Sequence, residues 1–173
     1  MTSDSIKLYK LIILYFLSRT KHEVTNAILS DFILEHGYTD YFSIQETLAS
    51  LTEDEMILAN QTHTACYYTI TKKGMETLSY FASRIPRDTV QQIKDYLTKH
   101  KMEILDDASI RTDYTQISSS DYMARCTVME RGITMVEVSL NVPTEEDAIE
   151  VCRRFKAKSD IIYSFLFKEL STN

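Results

Sequence analysis

The sequence predicts an α+β chain in two parts. A helix-rich first half contains a β-hairpin, and a three-stranded antiparallel meander with a long C-terminal helix follows. Three observations predict this. Apolar residues recur at helical spacing through most of residues 3–51 and again after Thr144. Between Met56 and Thr71, and again between Ser109 and Asn141, the pattern changes to runs of strand-forming residues broken by turn residues. The 173 residues are 44% hydrophobic and 25% charged, an ordinary globular balance with enough chain for one core or two small ones.

Taken in order, Ser3 and Asp4 are capping residues for a first helix to about Ser18. Its apolar residues (Ile6, Leu8, Leu11, Ile12, Ile13, Leu14, Phe16, Leu17) surround the axis, and a helix apolar on nearly all sides is buried on more than one. The expectation is a core on one face and a second subunit on the other, hence a homodimer. Thr25 caps a second helix, with Ala27, Ile28, Phe32 and Ile33 at helical spacing and a stop at Gly37. Thr39 or Asp40 opens a short third helix through Leu51, with Ile44, Leu48 and Leu51 facing inward. Met56–Gln61 and Cys66–Thr71 read as a hairpin around a polar tip at residues 62–65. Thr71 then caps a fourth helix to about Arg84, with Met75, Leu78 and Phe81 or Ala82 inward, and Pro86 opens a fifth to about His100.

In the second half, Asp106 and Asp107 fall on an extended, solvated turn, where adjacent carboxylates point to opposite faces and do not share a site. Ser109–Ile117, Tyr122–Glu130 and Thr134–Asn141 are the meander strands, the last two joined by a tight turn at Gly132. Pro143 and Thr144 start the final helix, and Glu145, Glu146 and Asp147 in its first turn suit the helix dipole. Its core stripe is Ala148, Val151, Cys152, Phe155, Ile162, Phe165, Leu166 and Leu170.

Composition narrows the chemistry. Gly37, Gly74 and Gly132 are the only glycines and stand far apart, so no glycine-rich phosphate loop is encoded. Cys66, Cys126 and Cys152 are scattered, the four histidines add no paired spacing, and the thiols read as reduced structural cysteines with no metal or other cofactor expected. No nucleophile motif or acid–base pair stands out, so the chain does not read as an enzyme. The longest apolar run, Leu11 to Leu17, is too short for a bilayer span, and no secretory leader is recognisable, so a cytoplasmic location without membrane attachment is expected. The formal charge is −6, which gives no global positive field.

The order helix–helix–helix–hairpin–helix is that of a winged helix-turn-helix domain. Leu48-Ala49-Ser50-Leu51-Thr52-Glu53-Asp54-Glu55-Met56-Ile57 resembles the end of a bacterial recognition helix and its entry into the wing. Tyr67-Tyr68-Thr69-Ile70-Thr71-Lys72-Lys73-Gly74 resembles the wing exit of PadR-like and MarR-like transcriptional regulators. That likeness covers about residues 5–85, and over its whole length the chain resembles an uncharacterised bacterial family of unknown function with a winged-helix start. The implied organisation is a winged helix-turn-helix domain at 1–85, a connecting helix at 86–101, and a meander plus helix at 102–173 serving dimerisation or effector binding. The resemblance implies a dimeric regulator of double-stranded DNA whose groove-facing residues are Tyr41, Ser43, Gln45, Glu46 and Ser50. Its wing tip is Gln61, Thr62, His63 and Thr64, and the cations flanking the motif, Lys7, Arg19 and Lys21, are candidate phosphate contacts. Residues 22–71 contain eight acids and no Lys or Arg, however. Because phosphate contacts supply much of the affinity for DNA, this pattern also predicts an alternative: a winged-helix module that binds a protein partner.

Overall fold

The computed structural model describes residues 3–171. It is a mixed α+β protein whose described residues form seven α-helices, a short 3₁₀ turn and two three-stranded antiparallel sheets. The chain divides into two compact units, one of residues 1–61 and 65–105, the other of residues 62–64 and 106–173.

The first unit is organised around α1 (Ser3–Ser18). Of the two predicted capping residues, the Ser3 side chain lies outside the described residues and Asp4 falls within the first turn of α1. Leu11 through Leu17 are all buried, and they pack in one core with residues of this same unit. That corrects the expectation of a face left for a second subunit: helices and the strand at residues 66–70 surround α1, so every side of the apolar segment finds partners within the chain.

β1 (Val24–Thr25), which the sequence did not reveal, leads into α2 (Asn26–Glu35). Thr25 caps α2 as predicted, its hydroxyl oxygen accepting the Ile28 N–H at 3.4 Å. Gly37, at φ +65°, closes α2: Gly37 N–H donates to Leu34 C=O and Tyr38 N–H to Ile33 C=O, the paired bonds of a Schellman ending. α3 (Tyr41–Glu53) is capped by Asp40, and Ile44, Leu48 and Leu51 are fully buried along its inner face. It ends in the same paired bonds, Glu55 N–H to Thr52 C=O and Met56 N–H to Leu51 C=O, but here Glu55 holds the left-handed position at φ 57°.

β2 (Ile57–Gln61) and β3 (Cys66–Ile70) form the predicted hairpin, and β3 also pairs with β1 through Val24↔Tyr68 and Thr25↔Tyr67, giving the order β1-β3-β2. Thr71 clasps the hairpin to α4 (Lys72–Phe81). Its hydroxyl donates to the Glu55 and Met56 carbonyls at 2.8 and 3.0 Å and accepts the Gly74 N–H at 3.0 Å. Gly74 sits so close beneath that a Cβ there would lie 2.1 Å from the Met56 carbonyl oxygen. Within α4, Leu78 is buried, whereas Met75, expected inside, is exposed; of Phe81 and Ala82, it is Ala82 that packs against the core. A 3₁₀ turn, Ala82–Arg84, replaces the predicted last helical turn, and α5 (Arg87–Lys99) follows Pro86. The Tyr96 ring, between Phe16, Phe32 and His100, completes the core, and burial followed by the nearby Asp31 and Glu103 charges pushes its hydroxyl up to about 12.

α6 (Lys101–Ser109) corrects the reading of Asp106 and Asp107 as extended: both are helical, and the Asp107 carboxylate accepts from Lys156 at 2.5 Å. In the second unit, β4 (Ile110–Ser118), β5 (Asp121–Glu130) and β6 (Ile133–Val142) form the meander in the order β4-β5-β6. Arg131 and Gly132, both at positive φ, make the tight β5–β6 turn. α7 (Glu145–Leu170) packs on one face of the sheet. Thr144 caps it, accepting the Asp147 N–H at 3.1 Å. Ala124, Cys126, Ala148, Cys152 and Phe155 are the buried core. Phe165 and Leu170, placed in the core stripe by their spacing, are instead exposed, because the stripe continues beyond the part of the helix that the sheet covers.

Candidate nucleic-acid interface

The solvent side of α3 is the surface on which the sequence places base recognition. Helical spacing puts Phe42, Glu46, Ala49 and Glu53 in one exposed row opposite Ile44, Leu48 and Leu51. Tyr41 lies beside it, its ring 6.2 Å from that of Phe42 in an edge-on arrangement. Phe42 is 79% exposed, the most prominent apolar side chain on the helix. The sequence reading passed over it, although an aromatic lying off the inner stripe was the available signal.

Ser43 takes a different part from the one expected. It is 4% exposed and belongs to the cap of α3, its N–H and hydroxyl donating to the Asp40 carboxylate at 3.0 and 2.7 Å. Those bonds hold the Asp40 carboxyl below its ordinary range. Ser43 is therefore withdrawn from the exposed face.

Gln45 is half-buried and joined to Asn26 of α2 by a reciprocal amide pair of 3.0 and 3.1 Å. Asn26 Oδ1 also accepts from the Ser30 hydroxyl at 3.1 Å. The pair joins α2 to α3 through side-chain amides, and Asn26 is a partner that spacing alone did not mark. Ser50 is half-buried at the far end of the helix.

The hairpin tip is likewise engaged. Residues 62–64 group with the second unit, where the His63 N–H donates to Asp113 Oδ1 at 2.8 Å and its ring Nδ1 lies 3.2 Å from the same oxygen. The His63 ring lies 4.9 Å from that of Tyr114, and the Thr64 hydroxyl donates to the Thr112 carbonyl. Of the four tip residues, His63 and Thr64 are thus held by β4, while Gln61 is exposed at the end of β2.

The candidate phosphate contacts are dispersed. Lys7 pairs with Asp4 at 3.3 Å, and the Arg19 guanidinium lies over the Tyr15 ring at 4.7 Å. Lys21 is exposed in the bend before β1. Lys10, nearer the end of α3 in contact terms, is bound to Asp54 at 2.7 Å, and that bond and charge hold the Asp54 carboxyl low.

Elsewhere, Cys126 and Cys152 are buried free thiols held close together, and Cys152 also donates to the Asp113 carbonyl at 3.5 Å. The hydrogen bond that the Cys126 thiol donates to Cys152, then burial, push the Cys126 thiol up. A shallow cavity of about 300 Å³ on the open face of the second sheet is lined by Asp113, Thr115, Ile117, Met123 and Arg125, and Arg125 is paired with Glu137 at 3.4 Å. Among the described residues, no group of three or more His, Cys, Asp or Glu side chains is arranged to hold a metal ion, and no helix is long and apolar enough to cross a membrane.

Comparison with curated proteins finds no match, and comparison with solved structures finds none. One family profile, described as a domain of unknown function (DUF4364), matches residues 9–170. With almost the whole chain inside that match, the protein belongs to this family.

Proposed function

We propose that the first unit is a winged helix-turn-helix domain and that the protein is a transcriptional regulator reading double-stranded DNA through α3. The observation that carries this reading is the connectivity: α2 and α3 are joined by a short turn, α3 runs into the β2–β3 hairpin, and β3 is clasped between β2 and β1. That arrangement presents the outer row of α3 for insertion into a major groove. Phe42 suits a thymine methyl, Glu46 accepts from a cytosine amine, and Gln45 pairs with adenine on exchanging its amide bonds to Asn26 for the base. Lys7, Arg19 and Lys21, the cations flanking the motif, supply the phosphate contacts.

A second reading has its own observation. The row Phe42, Glu46, Ala49, Glu53 is apolar and acidic, and residues 22–71 hold no Lys or Arg. Such a surface complements a basic, apolar protein partner better than it complements phosphate.

Fluorescence anisotropy separates the two, comparing a duplex from the upstream region of the protein's own gene with a scrambled duplex across a salt series. A DNA reader using two or three cations per subunit of a dimer gives a log–log slope of about −4 to −5 and prefers one sequence. Gln45→Ala or Phe42→Ala then relaxes the preference by roughly 1–3 kcal/mol, and Arg19→Ala weakens binding to all sequences alike. Absence of binding at low salt rejects the DNA reading and leaves the protein-contact one.

A further inference from the structure

The second unit has apolar surface that its own core does not absorb. Among the described residues, five hydrophobic side chains are buried there; four are alanine or cysteine and only Phe155 is large. Meanwhile the last turns of α7 leave Ile161 70% and Phe165 61% exposed, with Phe167 and Leu170 also open. Lys158, Ile162, Phe165 and Glu169 follow at spacings of four, three and four, which places them on one stripe of α7, with opposite charges bracketing the exposed Phe165 and the half-buried Ile162, whose inner side packs against the core of its own sheet. Arg153 and Arg154 are neutralised by Glu150 within the helix, whereas Lys158 and Glu169 make no ion pair among the described residues.

We propose that this stripe is the contact between two copies of the chain, joined as an antiparallel pair of α7 helices about a two-fold axis. The charge order selects both the occupant and the direction. With the axis between Tyr163 and Ser164, Ile162 faces Phe165 of the second copy and Lys158 faces Glu169, and two-fold symmetry makes each contact twice. A parallel pairing sets Lys158 against its own equivalent and Glu169 likewise, which like-charge repulsion disfavours. Ile161 flanks the seam and adds to the area removed from water. The pairing is independent of whether α3 binds DNA, and it puts the subunit contact on α7, within the part at 102–173 to which the resemblance gave dimerisation or effector binding, and not on α1.

Sedimentation velocity of the full chain over a wide concentration series tests it. The expected result is a reversible species of twice the 20.1 kDa protomer mass. F165E, and K158E or E169K alone, each weaken association by roughly tenfold or more, while far-UV circular dichroism stays unchanged because these side chains are exposed. An equimolar mixture of K158E and E169K chains regains the dimer, because each altered stripe then faces its complement. A wild-type chain that stays monomeric throughout overturns the proposal. So does a dimer indifferent to F165E, or a mixture that fails to recover.

Discussion

At Gly74 the added methyl group of an alanine would stand 2.1 Å from the Met56 carbonyl oxygen and 2.9 Å from Ile70 Cγ1. The hairpin and α4 must separate to admit it. Gly74→Ala should therefore lower stability by about 1–3 kcal/mol in urea titration. Gly37→Ala offers a contrast: nothing lies within 4 Å of its would-be Cβ, so only the left-handed backbone resists, at a cost of about 1–2 kcal/mol. The Thr71 hydroxyl serves three bonds at once, and Thr71→Val keeps its volume while removing them. The loss should be about 1–2 kcal/mol, at the upper end of the range for a helix cap. A Thr71→Val protein as stable as the wild type would show that the clasp contributes nothing.

Among the elements, α7 is the one whose stability should follow pH most visibly. The Arg153 and Arg154 guanidinium groups donate to Glu150 at 2.6–2.7 Å and hold its carboxyl at about 2, against an ordinary value of 4.5. A carboxylate depressed in the folded state stabilises fully above its unfolded pKa, and that contribution fades as pH falls from about 4.5 to about 2. Asp54, held low by Lys10, acts in the same direction at the end of α3. Replacing Glu150 with Gln should flatten the acid limb of the thermal midpoint measured against pH, and an unchanged limb would reject the linkage. Much of this element plan was readable in the residues. Thr25, Asp40, Thr71 and Thr144 mark four helix starts, and Gly37 and Gly132 mark a helix end and a turn. What escaped depended on distant partners. β1 has two residues and exists because Tyr67 and Tyr68 pair with it, and α6 buries only Ile104, too little for a periodic stripe. On the candidate interface, the resemblance named Tyr41, Ser43, Gln45, Glu46 and Ser50, and all five lie on α3. It could not foresee that Asp40 would draw Ser43 into the cap or that Asn26 would engage Gln45.

For the molecule as a whole, the unequal cores matter most. The first unit buries 22 hydrophobic residues in one cluster and the second buries five. Local opening free energy rises with buried apolar contact, so hydrogen exchange should be slowest in α1 and the helices around it and distinctly faster in β4–β6. Equal protection of the two regions would contradict this ordering. If two copies pair through α7, protection of β4–β6 should also rise with protein concentration, while that of α1 should not. The Thr71–Gly74 clasp carries a different kind of consequence. Its side chains are committed to a mechanical joint between a hairpin and a helix, and they occupy no part of the outer row of α3. A motif of that kind sorts proteins by how they are assembled. The row of Phe42, Glu46, Ala49 and Glu53 is free to diversify without loosening the joint, so one scaffold can be fitted to partners as unlike as a nucleic acid and a protein while keeping the same clasp.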